Sequence, residues 1–340
     1  MKFTVRALLS VSDAERSDLS RERHEATLRE LTAPGFTLPF HAQYIDAVNV
    51  SFATGPLASS DEEMFRKWEK PGSKRSRLIA SCEMTIDMAK VREWRSGMEN
   101  TDEPVFRFIF AAQEMIRAVA ALIIVANLAR PGSLEIGAGA IVFGDGYSHP
   151  LQPARNDLGL VVEVVRALGW PAMRDLTIRE TWDWCRRLPG FVAGCPTSRG
   201  GRALTAFSYQ IKEKPADFSP MDLVWAMVGL EALFGHGKEG LRKQISDKSQ
   251  ALLGRPTAFK RRFESMYDYR SRFVHGDLDV PLPLFLYSGS EATSRFEGES
   301  YDATAAATGV LIASLQELIV RGWREPVFSY AVTGVPIPEA

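Results

Sequence analysis

In the first half of the chain, apolar and polar residues alternate within short segments bounded by Gly, Pro and polar residues. Alternation with a period of two, together with β-branched content, is typical of half-buried strands. The pattern predicts five strands, over residues 3–9, 36–40, 47–52, 78–86 and 134–143. A sheet is therefore expected in this part of the chain.

Three segments of the same half have apolar residues at helical spacing instead. These segments are residues 104–128, 156–168 and 177–187. The first is closed by Arg130-Pro131-Gly132, and the last opens with the capping-box pattern Thr177-Ile-Arg-Glu180. Residues 104–128 are strongly apolar, but Glu114 and Arg117 interrupt them and the uninterrupted part is too short to cross a bilayer. We interpret this segment as a buried core helix.

From residue 202 onward the spacing of apolar residues is helical throughout. Five helices are predicted, over residues 202–211, 221–234, 239–253, 257–276 and 303–323. Ser219-Pro220 supplies an N-cap followed by a proline at the first helical position. Gly235 and Gly254 end the second and third of these helices. Short connections between consecutive helices favour a bundle.

A small, polar segment at residues 197–201, Thr-Ser-Arg-Gly-Gly, separates the two patterns and is predicted to be a linker. The predicted fold class is therefore α+β. A mixed α/β domain, residues 1–196, precedes an all-α helical bundle, residues 197–330, and a tail, residues 331–340. A length of 340 residues fits two domains.

The overall charge does not mark a nucleic-acid-binding protein, because 41 Lys and Arg oppose 42 Asp and Glu. The distribution is nevertheless uneven. Between residues 237 and 275, ten Lys or Arg stand against four Asp or Glu. Such a stretch fits a solvated helical face about as well as a surface that contacts RNA.

The cysteines indicate a reducing environment. Cys82, Cys185 and Cys195 are too few and too scattered for a disulfide framework, and no Cys/His pair has zinc-ligand spacing. The first residues lack the apolar region of a secretory signal. We expect a cytoplasmic protein without a metal ion or other cofactor.

The residues with the clearest chemistry lie at the end of the fourth predicted helix, in Tyr269-Arg270-Ser271-Arg272-Phe-Val-His275-Gly276. An arginine stays charged and suits a phosphate, whereas a histidine transfers protons near neutral pH. Arg270 and His275 are five residues apart, about 140° around a helix. One helix cannot direct both at the same phosphate unless the side chains curl or the helix loosens at its end. Two copies related by a two-fold axis can present both groups to one RNA strand.

Four segments occur in order in this half of the chain: Gly229-Leu-Glu231-Ala-Leu-Phe234, Glu239, residues 245–253 and the segment around Arg270 and His275. In this order they resemble the HEPN superfamily (higher eukaryotes and prokaryotes nucleotide-binding), specifically its Apea-like branch. Arg-x4-His with a small polar residue after the arginine is the ribonuclease signature of that family. The resemblance covers residues 202–323, and the first 195 residues resemble no family that we can name.

The resemblance implies a HEPN-type bundle and a metal-independent endoribonuclease that acts as a homodimer in a toxin or antiviral defence system. His275 would serve as general base or acid, Arg270 would stabilise charge on the phosphoryl oxygens, and Ser271 would orient one of them. Further RNA contacts would come from Arg272, Lys260, Arg261 and Arg262. The supporting residues would be Glu231 and Tyr269.

Two alternatives stay open in the sequence. Some HEPN domains only bind RNA, a nucleotide or a partner protein, and the partner classes here are an antitoxin, a phage trigger or an operon partner. Glu231 either assists the chemistry or pairs with Arg202 or Arg270 inside the bundle, because a buried carboxylate needs a cation. The carboxylates near the motif do not have the spacing of a two-metal site, so the substrate 2′-hydroxyl is the expected nucleophile.

Overall fold

The structure is a computed structural model that describes residues 2–12, 17–42, 45–55, 62–63, 75–87, 93, 103–143, 147–154, 158–211, 220–237, 240–256, 260–281 and 290–329. It contains helices and an antiparallel sheet, so the α+β class is confirmed.

The strands of the first half form one sheet. Its six strands are β1 (Lys2–Ser12), β2 (Thr37–Ala42), β3 (Ile45–Ala53), β4 (Arg75–Thr85), β5 (Ile136–Phe143) and β6 (Ser148–Leu151). Their order is β2-β3-β4-β1-β5-β6, and every described pairing is antiparallel. Five strands match predicted segments. The sixth, β6, was missed because its four residues contain no alternating apolar pair.

The central strand β1 shows why apolar residues recur at every second position in this half of the chain. It pairs with β4 on one side and β5 on the other. Val5, Ala7, Leu9 and Val11 are fully buried and lie on one face, as residues two apart in a strand must. The two outer strands each contain a proline, Pro39 in β2 and Pro150 in β6.

Four helices accompany the sheet in the described part of the first half. They are α1 (Asp18–Leu31), α2 (Glu103–Ala129), α3 (Leu158–Leu168) and α4 (Ile178–Arg187). Helix α2 packs against β1, β5 and α4, and its Met115 and Leu128 are fully buried. The predicted capping box of α4 is present, because the Thr177 and Glu180 side chains each accept a hydrogen bond from the other residue's backbone N–H.

In the described part of the chain, two helical segments are long and apolar enough to span a membrane by length and composition, Phe108–Ala129 and Thr293–Arg321. Most of their apolar stretches are buried inside the protein, 56% of the first and 89% of the second. Both are compatible with core helices of a soluble protein.

The second half consists of helices, as predicted. They are α5 (Arg199–Ser208) with a 3₁₀ turn (Tyr209–Ile211), α6 (Pro220–Phe234), α7 (Leu241–Leu253), α8 (Lys260–His275) and α9 (Glu291–Arg321). Helix α9 contacts each of the other four. It begins twelve residues before the predicted start at residue 303, with Ser290 as its N-cap.

The segment predicted to be a linker, residues 197–201, is largely the first turn of a helix. Ser198 is the N-cap of α5 and accepts a hydrogen bond from Gly201 N at 3.1 Å. Gly200 and Gly201 are buried, and a Cβ on Gly200 would lie 2.3 Å from the Arg324 carbonyl oxygen. These glycines permit close packing instead of flexibility.

One continuous cluster of buried side chains joins the sheet to the helices of the second half. The buried Gln316 of α9 donates to the carbonyl of Leu128 in α2 at 2.9 Å and accepts from Arg174 N at 2.8 Å. The Trp184 indole donates to the Trp323 carbonyl at 2.8 Å. The two parts therefore share an interior, and their division at residue 196 stays a prediction.

Candidate functional site

The motif helix α8 is fixed by its buried face. Met266 and Tyr269 are buried, and the Tyr269 ring lies 6.4 Å from the Phe296 ring of α9, centroid to centroid. Burial raises the pKa of Tyr269, and the nearby Ser300 hydroxyl and the Arg272 charge oppose that rise. Tyr269 is therefore a neutral packing residue that supports the helix carrying Arg270.

Arg270 turns toward the neighbouring helix α6. Its Nη2 lies 3.4 Å from Oε1 of Glu231, and the two side chains are only 22% and 25% exposed. Of the pairings that the sequence allowed for Glu231, the structure contains the one with Arg270. The other cation, Arg202, instead donates to the Thr197 carbonyl at 2.7 Å.

Gly229, two residues before Glu231, explains how α6 can lie deep in the bundle. A Cβ on Gly229 would meet both Leu311 methyl carbons of α9 at 2.8 Å. The missing side chain allows α6 and α9 to approach closely, which fixes the helix that carries Glu231. This gives the glycine of the Gly-Leu-Glu segment a packing role.

The ion pair leaves hydrogen-bonding capacity unused. Nε of Arg270 and Oε1 of Glu231 are buried and make no hydrogen bond with the described residues, although Nη2 of Arg270 lies at ion-pair distance from Oε1. Buried polar atoms without a hydrogen bond are uncommon and often mark a functional group or a bound molecule. Arg270 is therefore held in place by an ion pair that leaves its Nε unsatisfied among the described residues.

His275 lies at the end of α8, in contrast to Arg270. Gly276 follows with φ of 78°, and Asp277 N donates to the Arg272 carbonyl at 2.8 Å, which is a Schellman ending. The His275 side chain is exposed. Within the described residues, no hydrogen bond or ion pair joins it to Arg270. A single chain holds the two motif residues on one helix without bringing them together.

The other predicted site residues are only partly described. Ser271 is half-buried and Arg272 is exposed, both on α8. Residues Lys260, Arg261 and Arg262 lie in the first turn of α8, but their side chains fall outside the described part of the structure. Glu239, one of the four HEPN-like segments, also falls outside it.

The charge count between residues 237 and 275 overstates the positive surface. Lys248 is buried in α7, where its Nζ donates to the Phe234 carbonyl at 2.7 Å. Burial lowers the pKa of Lys248, and the Arg199 charge lowers it further. Arg242 forms an ion pair with Asp268 at 2.9 Å. At least three of the ten cations are therefore interior or neutralised, because Arg270 is paired with Glu231 as well.

Histidines outside the motif have structural or exposed positions where they are described. His24 of α1 is buried and its Nδ1 lies 2.8 Å from the Ser133 carbonyl, so it donates there. His236 is exposed. Among the described residues, no group of three or more His, Cys, Asp or Glu is placed to hold a metal ion. Three tryptophans are buried, namely Trp170, Trp182 and Trp184, whereas Trp323 is exposed.

Two features near the motif were not predicted. Exposed apolar side chains lie on α6 and α8, namely Met221, Val228 and Val274, which are 46%, 38% and 50% exposed. A cleft between α7 and α8 contains Lys243 and Tyr267. The cleft has no sequence signal, because its residues come from two helices and share no motif.

Comparison with known proteins leaves the sequence resemblance as it stands. No protein-family model, curated protein or solved structure matches this chain. The similarity to HEPN domains therefore rests on the four sequence segments that occur in the same order as in that family. The activity that it implies is a proposal.

Proposed function

We propose that this protein is a metal-independent endoribonuclease of the HEPN type, located in the cytoplasm and acting as a toxin or antiviral defence effector. The supporting observation is the position of Arg270, which Glu231 holds half-buried at ion-pair distance. His275 lies exposed at the end of the same helix. A fixed cation and an accessible imidazole are the groups that RNA cleavage through the 2′-hydroxyl requires.

The active form is a homodimer in this proposal. In one chain Arg270 and His275 are about 140° apart around α8, so one strand of RNA cannot reach both from a single direction. A two-fold axis near the end of α8 places both residues of each copy along one groove. Met221, Val228 and Val274, exposed on α6 and α8, supply apolar surface for the second copy.

The reaction needs no group beyond the substrate and these side chains. One His275 accepts the proton of a ribose 2′-hydroxyl, whose oxygen forms a bond to the adjacent phosphorus. The bond from phosphorus to the 5′ oxygen breaks, and the His275 of the second copy protonates the leaving oxygen. Arg270 stabilises the negative charge on the phosphoryl oxygens, with Ser271 orienting one of them.

The products of RNA treated with purified protein test this proposal. We expect a 2′,3′-cyclic phosphate and a 5′-hydroxyl, with cleavage that persists in EDTA. A 2′-deoxy residue at the cut site should abolish cleavage, because it lacks the nucleophile. Efficient cutting of single-stranded DNA, or a strict requirement for Mg²⁺, would rule the mechanism out.

The second candidate is a HEPN module that binds RNA, a nucleotide or a partner protein without cleaving RNA. It is favoured by the ion pair itself, because Glu231 offsets the charge of Arg270 and no contact joins Arg270 to His275 in one chain. RNA binding that His275→Ala leaves unchanged, with no cleavage by the unaltered protein, would support this alternative.

A further inference from the structure

A cleft of about 340 Å³ lies between α7 and the middle of α8. Eight described residues line it: Gly240, Arg242, Lys243, Ile245, Ser246 and Asp247 at α7, and Met266 and Tyr267 of α8. Tyr267 precedes Arg270 by three residues, about 4.5 Å along the helix axis. The cleft is therefore adjacent to the motif but separate from the Arg270–Glu231 pair.

The cleft has an apolar floor and a polar rim. Ile245 and Met266 are each 1% exposed and form the floor. The half-buried Tyr267 adds an aromatic ring to the lining. An aromatic ring beside buried aliphatic and sulfur atoms is a surface on which a planar base stacks without sequence preference.

The cationic groups of the rim differ in their availability. Arg242 is paired with Asp268, as described above. Lys243 is exposed and makes no ion pair or hydrogen bond with the described residues. Helix α7 also begins beside the cleft at Gly240, which provides no side-chain cap for the first backbone N–H groups. Both features favour an anion at this end of the cleft, whereas the exposed carboxylate of Asp247, about one turn further along α7, disfavours one at the other end.

We propose that this cleft binds one nucleotide of single-stranded RNA next to the cleavage position, with the base on the half-buried Tyr267 ring and the phosphate on Lys243. The inference rests on the proposed ribonuclease function and adds a subsite to it. Tyr267 and His275 are eight residues apart, about 12 Å along α8. An RNA strand with one nucleotide in the cleft therefore reaches His275, at the end of α8, within a few nucleotides.

Binding of a short, fluorescently labelled single-stranded RNA tests the subsite. The measurements use the full chain carrying His275→Ala, so that cleavage does not interfere. Adding Tyr267→Leu should weaken binding about tenfold, because it removes the stacking surface. Adding Tyr267→Phe keeps the ring and should leave the affinity within about twofold.

The salt dependence of the same binding isolates the phosphate contact. Adding Lys243→Gln should reduce the slope of log affinity against log salt by about 0.7, the value for one phosphate contact on a single strand. Arg255→Gln is the matched control, because Arg255 is an exposed cation beyond the other end of α7. It should leave the slope unchanged.

The outcomes separate the subsite from the catalytic proposal. If the unaltered protein cleaves RNA and the Tyr267 and Lys243 variants bind RNA as the parent does, the subsite is wrong and the ribonuclease stands. If the variants lose affinity as expected but the unaltered protein never cleaves RNA, the subsite stands and the ribonuclease falls. If Lys243→Gln and Arg255→Gln reduce the salt slope equally, the protein attracts RNA nonspecifically and the subsite is wrong.

Discussion

Arg270 and His275 differ in burial, and this separates their expected effects on stability. Arg270→Ala leaves the half-buried Glu231 without its cation, so we expect a loss of about 1 kcal/mol in addition to the loss of RNA cleavage. His275→Ala removes an exposed side chain and should lower cleavage by about 10²- to 10⁴-fold with an unchanged melting temperature. Thermal melts and cleavage rates of both variants check this.

A double variant provides the control for the Arg270 result. Arg270→Gln combined with Glu231→Gln removes both charges, so it should recover most of the stability without recovering cleavage. An equal loss of melting temperature in His275→Ala and Arg270→Ala would contradict this assignment and make both residues structural.

Glu114 in α2 gives a pH dependence that is independent of the site. Its side chain is 2% exposed, and burial raises its pKa although Arg117 acts in the opposite direction. The folded state therefore disfavours the charged form, and stability falls as pH rises from 4.5 through the raised pKa. Glu114→Gln should increase the melting temperature at pH 8 and have a smaller effect at pH 5. A larger gain at pH 5 would contradict the sign.

The sequence identified the chemistry of the motif better than its geometry. The type and spacing of Arg270 and His275 were readable, and so was the need of Glu231 for a cation. The choice between Arg202 and Arg270 was not, because it depends on how α6 and α8 pack. Lys248 was counted as surface charge, whereas it is interior, since its neighbours come from distant segments.

Two glycines of α9 test how tightly the helices pack. A Cβ on Gly309 would lie 2.4 Å from a Val165 methyl of α3, whereas one on Gly298 meets nothing within 4 Å. Gly309→Ala should destabilise the protein by about 1–3 kcal/mol, because overpacking exceeds the gain in helix propensity. Gly298→Ala should stabilise it by up to about 1 kcal/mol. Urea unfolding midpoints that shift in the same direction for both would contradict this packing.

Element prediction succeeded where one face of the element is apolar and failed where it is not. Helix α1 was missed because its buried face includes Ser20, Arg23, His24 and Thr27, so no apolar stripe marks it. The first turns of α9 were not predicted because they are rich in charged and hydroxyl-bearing residues and lack an apolar stripe. Residues 197–201 were read as a linker because sequence does not distinguish a flexible glycine from one required by close packing.

The shared interior leads to an expectation for the whole molecule. Separating the two halves would expose Gln316 and the apolar cluster that surrounds α9. We therefore expect calorimetry to record one cooperative unfolding transition with equal calorimetric and van't Hoff enthalpies. Two resolved transitions would instead mean that residues 1–196 and 197–330 fold independently, as the sequence pattern suggested.

The prolines of the outer strands restrict how copies of this protein can meet. Pro39 and Pro150 each remove a backbone donor from a strand that borders the sheet. The ladder of backbone hydrogen bonds that a second copy or an extended peptide could form at these edges is therefore interrupted. This disfavours growth by strand addition and cross-β aggregation. Self-association is thereby directed to the helical side of the molecule, where two copies can meet without the sheets joining.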